Sequence, residues 1–157
     1  MSPGNLQREL RQRKPFVSTS HEAVVDIIRT ADHVRRVLFR AIAPSGITSQ
    51  QFNVLRILRG AGEDGLPTLE VADRMVEQTP GVTRLMDRLE AKGFIRRQRC
   101  PRDRRQHLCW ITAAGRELLD RLEAPVRQAG DRCMQSLSEA ERRSLIRLLD
   151  TVRQPPA

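Results

Sequence analysis

A chain of 157 residues, 39% hydrophobic and 30% charged, is long enough to bury one core and has the composition of a soluble helical domain. Its 28 Lys and Arg against 19 Asp and Glu leave a net charge of +9, which favours a polyanionic partner. No run approaches the roughly 20 apolar residues of a membrane span, and the N-terminal segment lacks the apolar core of a secretion signal. Composition thus excludes a membrane protein and predicts a cytoplasmic one.

Residues 1–18 combine Pro3, Gly4 and Pro15 with Arg8, Arg11, Arg13 and Lys14 and few apolar residues, the pattern of a flexible basic arm. Such an arm either adds contacts to a polyanion, clasps a second subunit, or is a solvated tail. Residues 19–46 predict a helix from Thr19 or Ser20 to about Ala43, ended by Pro44 and Gly46. Val24, Ile27, Ile28, Ala31, Val34, Leu38 and Phe39 lie on one side of it and Arg29, Arg35, Arg36 and Arg40 on the other.

Thr48 to Gln51 has the form of a capping box and opens a second helix through Phe52, Val54, Leu55, Ile57 and Leu58 to Gly60. A turn from Gly60 to Pro67 follows. Thr68 is then expected to cap a short third helix with Leu69, Val71, Ala72 and Met75 as its apolar residues. Val76 to Gln78 link it to a fourth helix over Pro80 to Lys92, with Thr79 as N-cap, Pro80 at the first helical position and Gly93 as the stop. The pair forms a helix-turn-helix, whose second member lies in the major groove of a duplex.

On that fourth helix Val82, Leu85, Met86 and Leu89 form one buried stripe. Pro80, Arg84, Asp87 and Ala91 point the other way, flanked by Thr83 and Arg88. Thr79, Pro80, Gly81 and Thr83 are compact enough for the backbone to approach base edges, while Arg84 and Arg88 reach phosphates or a guanine.

After Gly93 the apolar period becomes two-fold. Phe94 and Ile95 lead into Arg96, Arg97, Gln98, Arg99 and Cys100, and Gln106 to Ile111 return, so two short strands form a ribbon. Its tip is Pro101, Arg102, Asp103, Arg104, Arg105. An arginine at the apex of a narrow ribbon suits the minor groove, where the potential is most negative, and Asp103 is suited to orient a neighbouring guanidinium. From Arg84 to Arg116 ten basic residues stand against Asp87, Glu90 and Asp103, and that excess is expected to face a groove.

Thr112 opens a long helix with Leu118, Leu119, Leu122, Val126 and Cys133, expected to be interrupted or bent around Pro125 and Gly130. Ser138 to Glu141 is a second capping box, and its helix carries Leu145, Ile146, Leu148, Leu149 and Val152 to a Pro155-Pro156 stop. These apolar faces exceed what a lone DNA-binding domain needs, and a second copy of the chain is the economical cover.

The run RLMDRLEAKGFIRRQRCPRDRRQHLCWITAAG resembles the recognition helix and wing of the MarR family of bacterial winged-helix transcription regulators. The resemblance rests on an Arg-rich helix ending in Leu-Glu-x-Lys-Gly, a wing carrying Asp103, Arg104 and Arg105, and an exit through Ile111, Thr112 and Gly115. It implies a mainly α (α+β) fold: a winged helix-turn-helix at 47–111, with a first dimerisation helix at 19–46 and C-terminal dimerisation helices at 112–157. It also implies a homodimer on double-stranded DNA, preferring a pseudo-palindromic operator with half-sites about 10 bp apart, and a repressor. Small aromatic effectors bind, in the family, between the dimerisation helices and the winged-helix lobe. Arg29, His33 and Phe52 are the candidates to line that crevice here, although each also reads as an ordinary solvated or core position.

Other chemistries find little footing. His21-Glu22 begins a zinc-protease motif, but Val25 stands where the second histidine belongs, so no metal site and no cofactor is expected. Without a phosphate loop or a serine elbow the chain is not read as an enzyme. Cys100, Cys109 and Cys133 lack paired spacing; Cys109 and Cys133 read as small core residues and Cys100 as an unreactive wing residue. Trp110 is expected to pack over the helix behind its strand, and few aromatics argue against a single-strand stacking platform. The reading from another class is a winged-helix protein-interaction module without sequence-specific DNA binding.

Overall fold

The computed structural model describes residues 5–77, 81–100 and 106–154. Among them seven α-helices, one 3-10 turn and three strands alternate in the order α1, α2, 3-10, α3, β1, α4, α5, β2, β3, α6, α7. By contact the chain divides into residues 1–37 and 38–157, and α2 runs through the boundary. No helix among the described residues is long and apolar enough to cross a membrane.

In the first unit a short helix, α1 (Asn5–Glu9), buries Leu6. Composition alone reads the arm as loose and does not anticipate this turn. α2 (Thr19–Ile42) matches its predicted span, and Val24, Ile27 and Ile28 on it are exposed.

The second unit holds the principal core. The 3-10 turn (Ala43–Ser45) ends at Gly46, whose positive φ of 73° reverses the chain. Thr48 caps α3 (Ser49–Gly60): its hydroxyl accepts from the Gln51 backbone at 3.1 Å, and the Gln51 side chain accepts from Thr48 N–H at 3.0 Å. Val54, Leu55 and Leu58 of α3 meet Val71, Met86, Leu89, Ile95, Cys109 and Leu119 in one buried cluster.

β1 (Leu66–Pro67) was not anticipated. It pairs antiparallel with β3 (His107–Ile111), which also pairs with β2 (Ile95–Arg99), in the order β1-β3-β2. A two-residue strand containing proline has no periodicity to detect. The turn before it is fixed by Trp110, whose indole N–H donates to the Glu63 carbonyl at 2.9 Å and whose ring lies against Gly65. Trp110 therefore packs on this turn, where the sequence suggests a helix.

α4 (Thr68–Asp73) takes Pro67, not Thr68, as its N-cap. The Thr68 hydroxyl instead reaches across to the His107 carbonyl at 3.5 Å. Of the apolar residues expected on this helix, Leu69 is 73% exposed. It stands two residues, about 200° of helix, from buried Val71. α6 (Ala113–Met134) is capped by Thr112 and continues through Pro125 without interruption. Proline removes one backbone hydrogen bond there, while Leu118, Leu119, Leu122 and Ala129 on its flanks are buried and hold the helix together. Ser138 forms the expected capping box of α7 (Glu139–Arg153).

Candidate nucleic-acid interface

Three pieces of the second unit make up the candidate interface: the turn after α4, helix α5 (Val82–Ala91) and the β2–β3 ribbon. The turn is held from α3, where Asn53 Oδ1 accepts from the Val76 N–H at 2.9 Å. Met75 beside it is buried.

α5 begins two residues later than the sequence suggests. Gly81 is its N-cap at φ 91°, a left-handed conformation that glycine adopts without steric cost. Thr79 and Pro80 lie outside the described residues. Gly81 is exposed, and a Cβ built there meets nothing within 4 Å, so its backbone is open to a partner. At the other end Gly93, at φ 73°, donates its N–H to the Glu90 carbonyl at 2.8 Å and stops the helix as expected.

The predicted stripe of Val82, Leu85, Met86 and Leu89 is buried. Thr83, Arg84, Asp87, Arg88 and Ala91 are exposed. Among the described residues neither Arg84 nor Arg88 meets a carboxylate at ion-pairing distance. Two arginines one turn apart, unpaired on one exposed face, form a compact cationic strip that suits phosphate and guanine.

The ribbon rises from the end of α5. Thr112 N–H donates to the Phe94 carbonyl at 3.0 Å at its base, and Cys100 N–H to the Gln106 carbonyl at 2.9 Å near its tip. Arg102, Asp103, Arg104 and Arg105 lie outside the described residues, between two strands whose register the structure gives. At the base, a Cβ on Gly115 would come within 2.3 Å of the Phe94 carbonyl oxygen, so glycine is required where α6 passes under the ribbon.

Not all of the positive charge is available to a groove. The Arg96 guanidinium stacks 4.1 Å from the Trp110 ring centroid. Arg97 is 18% exposed and bridges two carboxylates of α5, Asp87 at 2.6 Å and Glu90 at 2.7 Å. Burial lowers its pKa, but hydrogen bonds to Glu90 and Asp87 outweigh that and the net shift is upward. The sequence offers a signal for this pairing: Asp87 and Glu90 fall at i, i+3, and Arg97 shares the strand face of buried Ile95.

The remaining candidates lie on other elements. Arg29 and His33, at i, i+4 on α2 in the first unit, are exposed. Phe52 belongs to the second unit, half-buried against its core, with the Arg56 guanidinium 6.0 Å from its ring centroid. The three cysteines are free thiols. Cys109 is fully buried, and burial pushes its thiol pKa up, partly offset by the Thr68 hydroxyl, which makes it a poor nucleophile.

Comparison with known proteins agrees with this architecture. Residues 47–107 match the model of the MarR family. A crystal structure of a MarR transcription factor from Planctomyces limnophilus is 38% identical, covers 87% of this chain and 98% of its own, and superposes with a TM-score of 0.68. A mutant MarR from Escherichia coli complexed with operator DNA shares the fold at 23% identity, with 96% and 100% coverage and a TM-score of 0.76. A protein designated a transcriptional regulator for the hcr operon of Thauera aromatica is 31% identical, with 74% of each chain covered. On a shared fold, a matching winged-helix segment and identity above 30% across most of its length, this chain belongs to the MarR family of transcriptional regulators.

Proposed function

We propose that the chain is a sequence-specific double-stranded DNA-binding repressor that acts in the cytoplasm as a homodimer and has no catalytic role. The observation that carries this is Arg84 and Arg88, exposed on α5 with no carboxylate partner among the described residues, followed in the chain by β2 and β3, between which the sequence places Arg102, Arg104 and Arg105. Thr79, Pro80, Gly81 and Thr83 would lie closest to base edges. Arg84 and Arg88 serve the major groove and its phosphates, and Arg105, with Arg102 and Arg104, serves the minor groove while Asp103 orients one of them. A relative of the same fold complexed with operator DNA supports duplex DNA as the partner.

Dimerisation is supported by apolar side chains left exposed: Val24, Ile27 and Ile28 in the first unit, and Ile146, Leu148 and Val152 in the second. The proposed domain roles are a basic arm at 1–18, dimerisation at 19–46 and 112–157, and DNA binding at 47–111. Two copies related by a two-fold axis then require a pseudo-palindrome with half-sites about 10 bp apart.

A small phenolic or aromatic acid is the proposed releasing effector, with Arg29 offering a cation, His33 a polar ring and Phe52 an apolar wall. It must bind the DNA-incompetent state better, because equal affinity for both states shifts nothing. Titration calorimetry of salicylate-like acids against wild type and Arg29→Ala tests this; equal heats remove Arg29. Selection of bound fragments from random duplexes tests the whole proposal. An enriched pseudo-palindrome is expected, and no enrichment would leave the interaction-module reading.

A further inference from the structure

Arg97 lies in the middle of β2, on the face it shares with Ile95 and opposite buried Cys109, while its neighbours Arg96 and Gln98 are exposed. A guanidinium on the core face of a ribbon is costly unless its donors are satisfied. Here one helix holds two of its three nitrogens: Nε donates to Glu90 Oε2 at 2.8 Å and Nη2 to Asp87 Oδ1 at 2.6 Å. Glu90 does more than pair charge. Its Oε1 accepts the Arg97 backbone N–H at 3.0 Å, and β2 is an edge strand, so one carboxylate holds both the side chain and the free edge of the ribbon.

Charge leads to the same place. Two carboxylates surround one guanidinium, so Arg97 has no surplus positive charge to offer a phosphate. Asp87, for its part, shares the exposed face of α5 with Arg84 and Arg88. Left alone it would repel the polyanion that those arginines attract. Arg97 neutralises it from behind. A two-stranded ribbon is marginally stable by itself, and its direction depends on what anchors it.

We infer that Arg97 is a positioning residue: with Glu90 and Asp87 it locks the ribbon to the recognition helix and so fixes the reach of the wing tip into the minor groove, without contacting DNA itself. The inference rests on the assignment of Arg105 to that groove, and its test separates the two. Affinities for a selected duplex are measured on wild type, Arg97→Met, Glu90→Ala, Arg105→Ala and Arg97→Met/Arg105→Ala, each shown by thermal melting to be folded at the assay temperature. If Arg97→Met is unfolded there, Arg97→Lys, which keeps the charge but loses the fork, replaces it in both the single and the double variant.

Arg97→Met and Glu90→Ala are each expected to weaken binding by roughly tenfold, and the double variant to be no weaker than Arg97→Met, because a misdirected tip has no contact left to lose. The sign for Glu90 is decisive. Removing a negative charge from a DNA-facing helix should tighten binding on electrostatics alone, so weakening reports lost position. Tighter binding by Glu90→Ala, losses that multiply in the double variant, or a lowered melting temperature with affinity unchanged would each overturn the inference. No loss from Arg105→Ala would instead sink the wing-tip assignment, and the sign for Glu90 would still judge the lock.

Discussion

Arg84 and Arg88 differ from Arg97 in surroundings more than in chemistry: two project from a helix face with no carboxylate partner among the described residues, and the third is held by a pair of them. Within the fourteen residues from 84 to 97, Arg84 and Arg88 are thus available to a partner while Arg97 is committed to an internal pairing. Arg84→Ala should cost about 1–3 kcal/mol of binding and relax preference at one base position, read by repeating duplex selection with the variant. Arg105→Ala should weaken binding and flatten the salt dependence by roughly one phosphate contact, about 0.9 in the logarithmic slope. An unchanged slope would remove Arg105 from the wing contacts. Gly65 makes a prediction about stability. A Cβ there would sit 2.5 Å from the Trp110 ring at a φ of +71°, so Gly65→Ala should destabilise by on the order of 1–3 kcal/mol in urea unfolding.

At the scale of elements, the sequence is readable wherever a side chain caps or a stripe repeats. Thr48 and Ser138 announce their helices through capping boxes, and Val82, Leu85, Met86 and Leu89 announce which face of α5 is buried. What escapes reading is set by distant partners. β1 exists because Leu66 and Pro67 find Cys109 and Leu108 on β3, and α6 passes through Pro125 because packing on its flanks offsets one lost hydrogen bond. The start of α5 shifts because Gly81 adopts a conformation that composition does not reveal.

Two tests belong at this scale. Leu89→Ala, at a fully buried position of α5, should cost about 2–5 kcal/mol in chemical unfolding. The Glu141 carboxyl is held below its usual pKa by hydrogen bonds with Ser138, so its contribution to α7 is present above the ordinary carboxylate range and is lost as pH falls through the depressed value. Glu141→Gln should therefore remove part of the acid dependence of stability, and an unaltered pH profile would show that the capping box does not report on folding.

For the molecule as a whole, net charge and exposed apolar side chains describe complementary needs. A charge of +9 suits a duplex, and Ile28, Leu148 and Val152 suit a second copy of the chain. The family was legible in the wing and recognition-helix residues; which arginines are already paired was only hinted at by the spacing of Asp87, Glu90 and Arg97, since the pairing depends on how a strand lies against a helix. Leu148→Glu should shift the sedimentation profile toward monomer and weaken binding to a paired site much more than to a half-site. The most direct test of the central claim is affinity for the selected duplex compared with one carrying 5 bp inserted between half-sites and with a scrambled duplex. Half a helical turn puts the second half-site on the opposite side of the DNA, so the insertion should cost on the order of a hundredfold, approaching the scrambled control. Equal affinity for all three duplexes would contradict a dimer reading two half-sites through α5 and its wing.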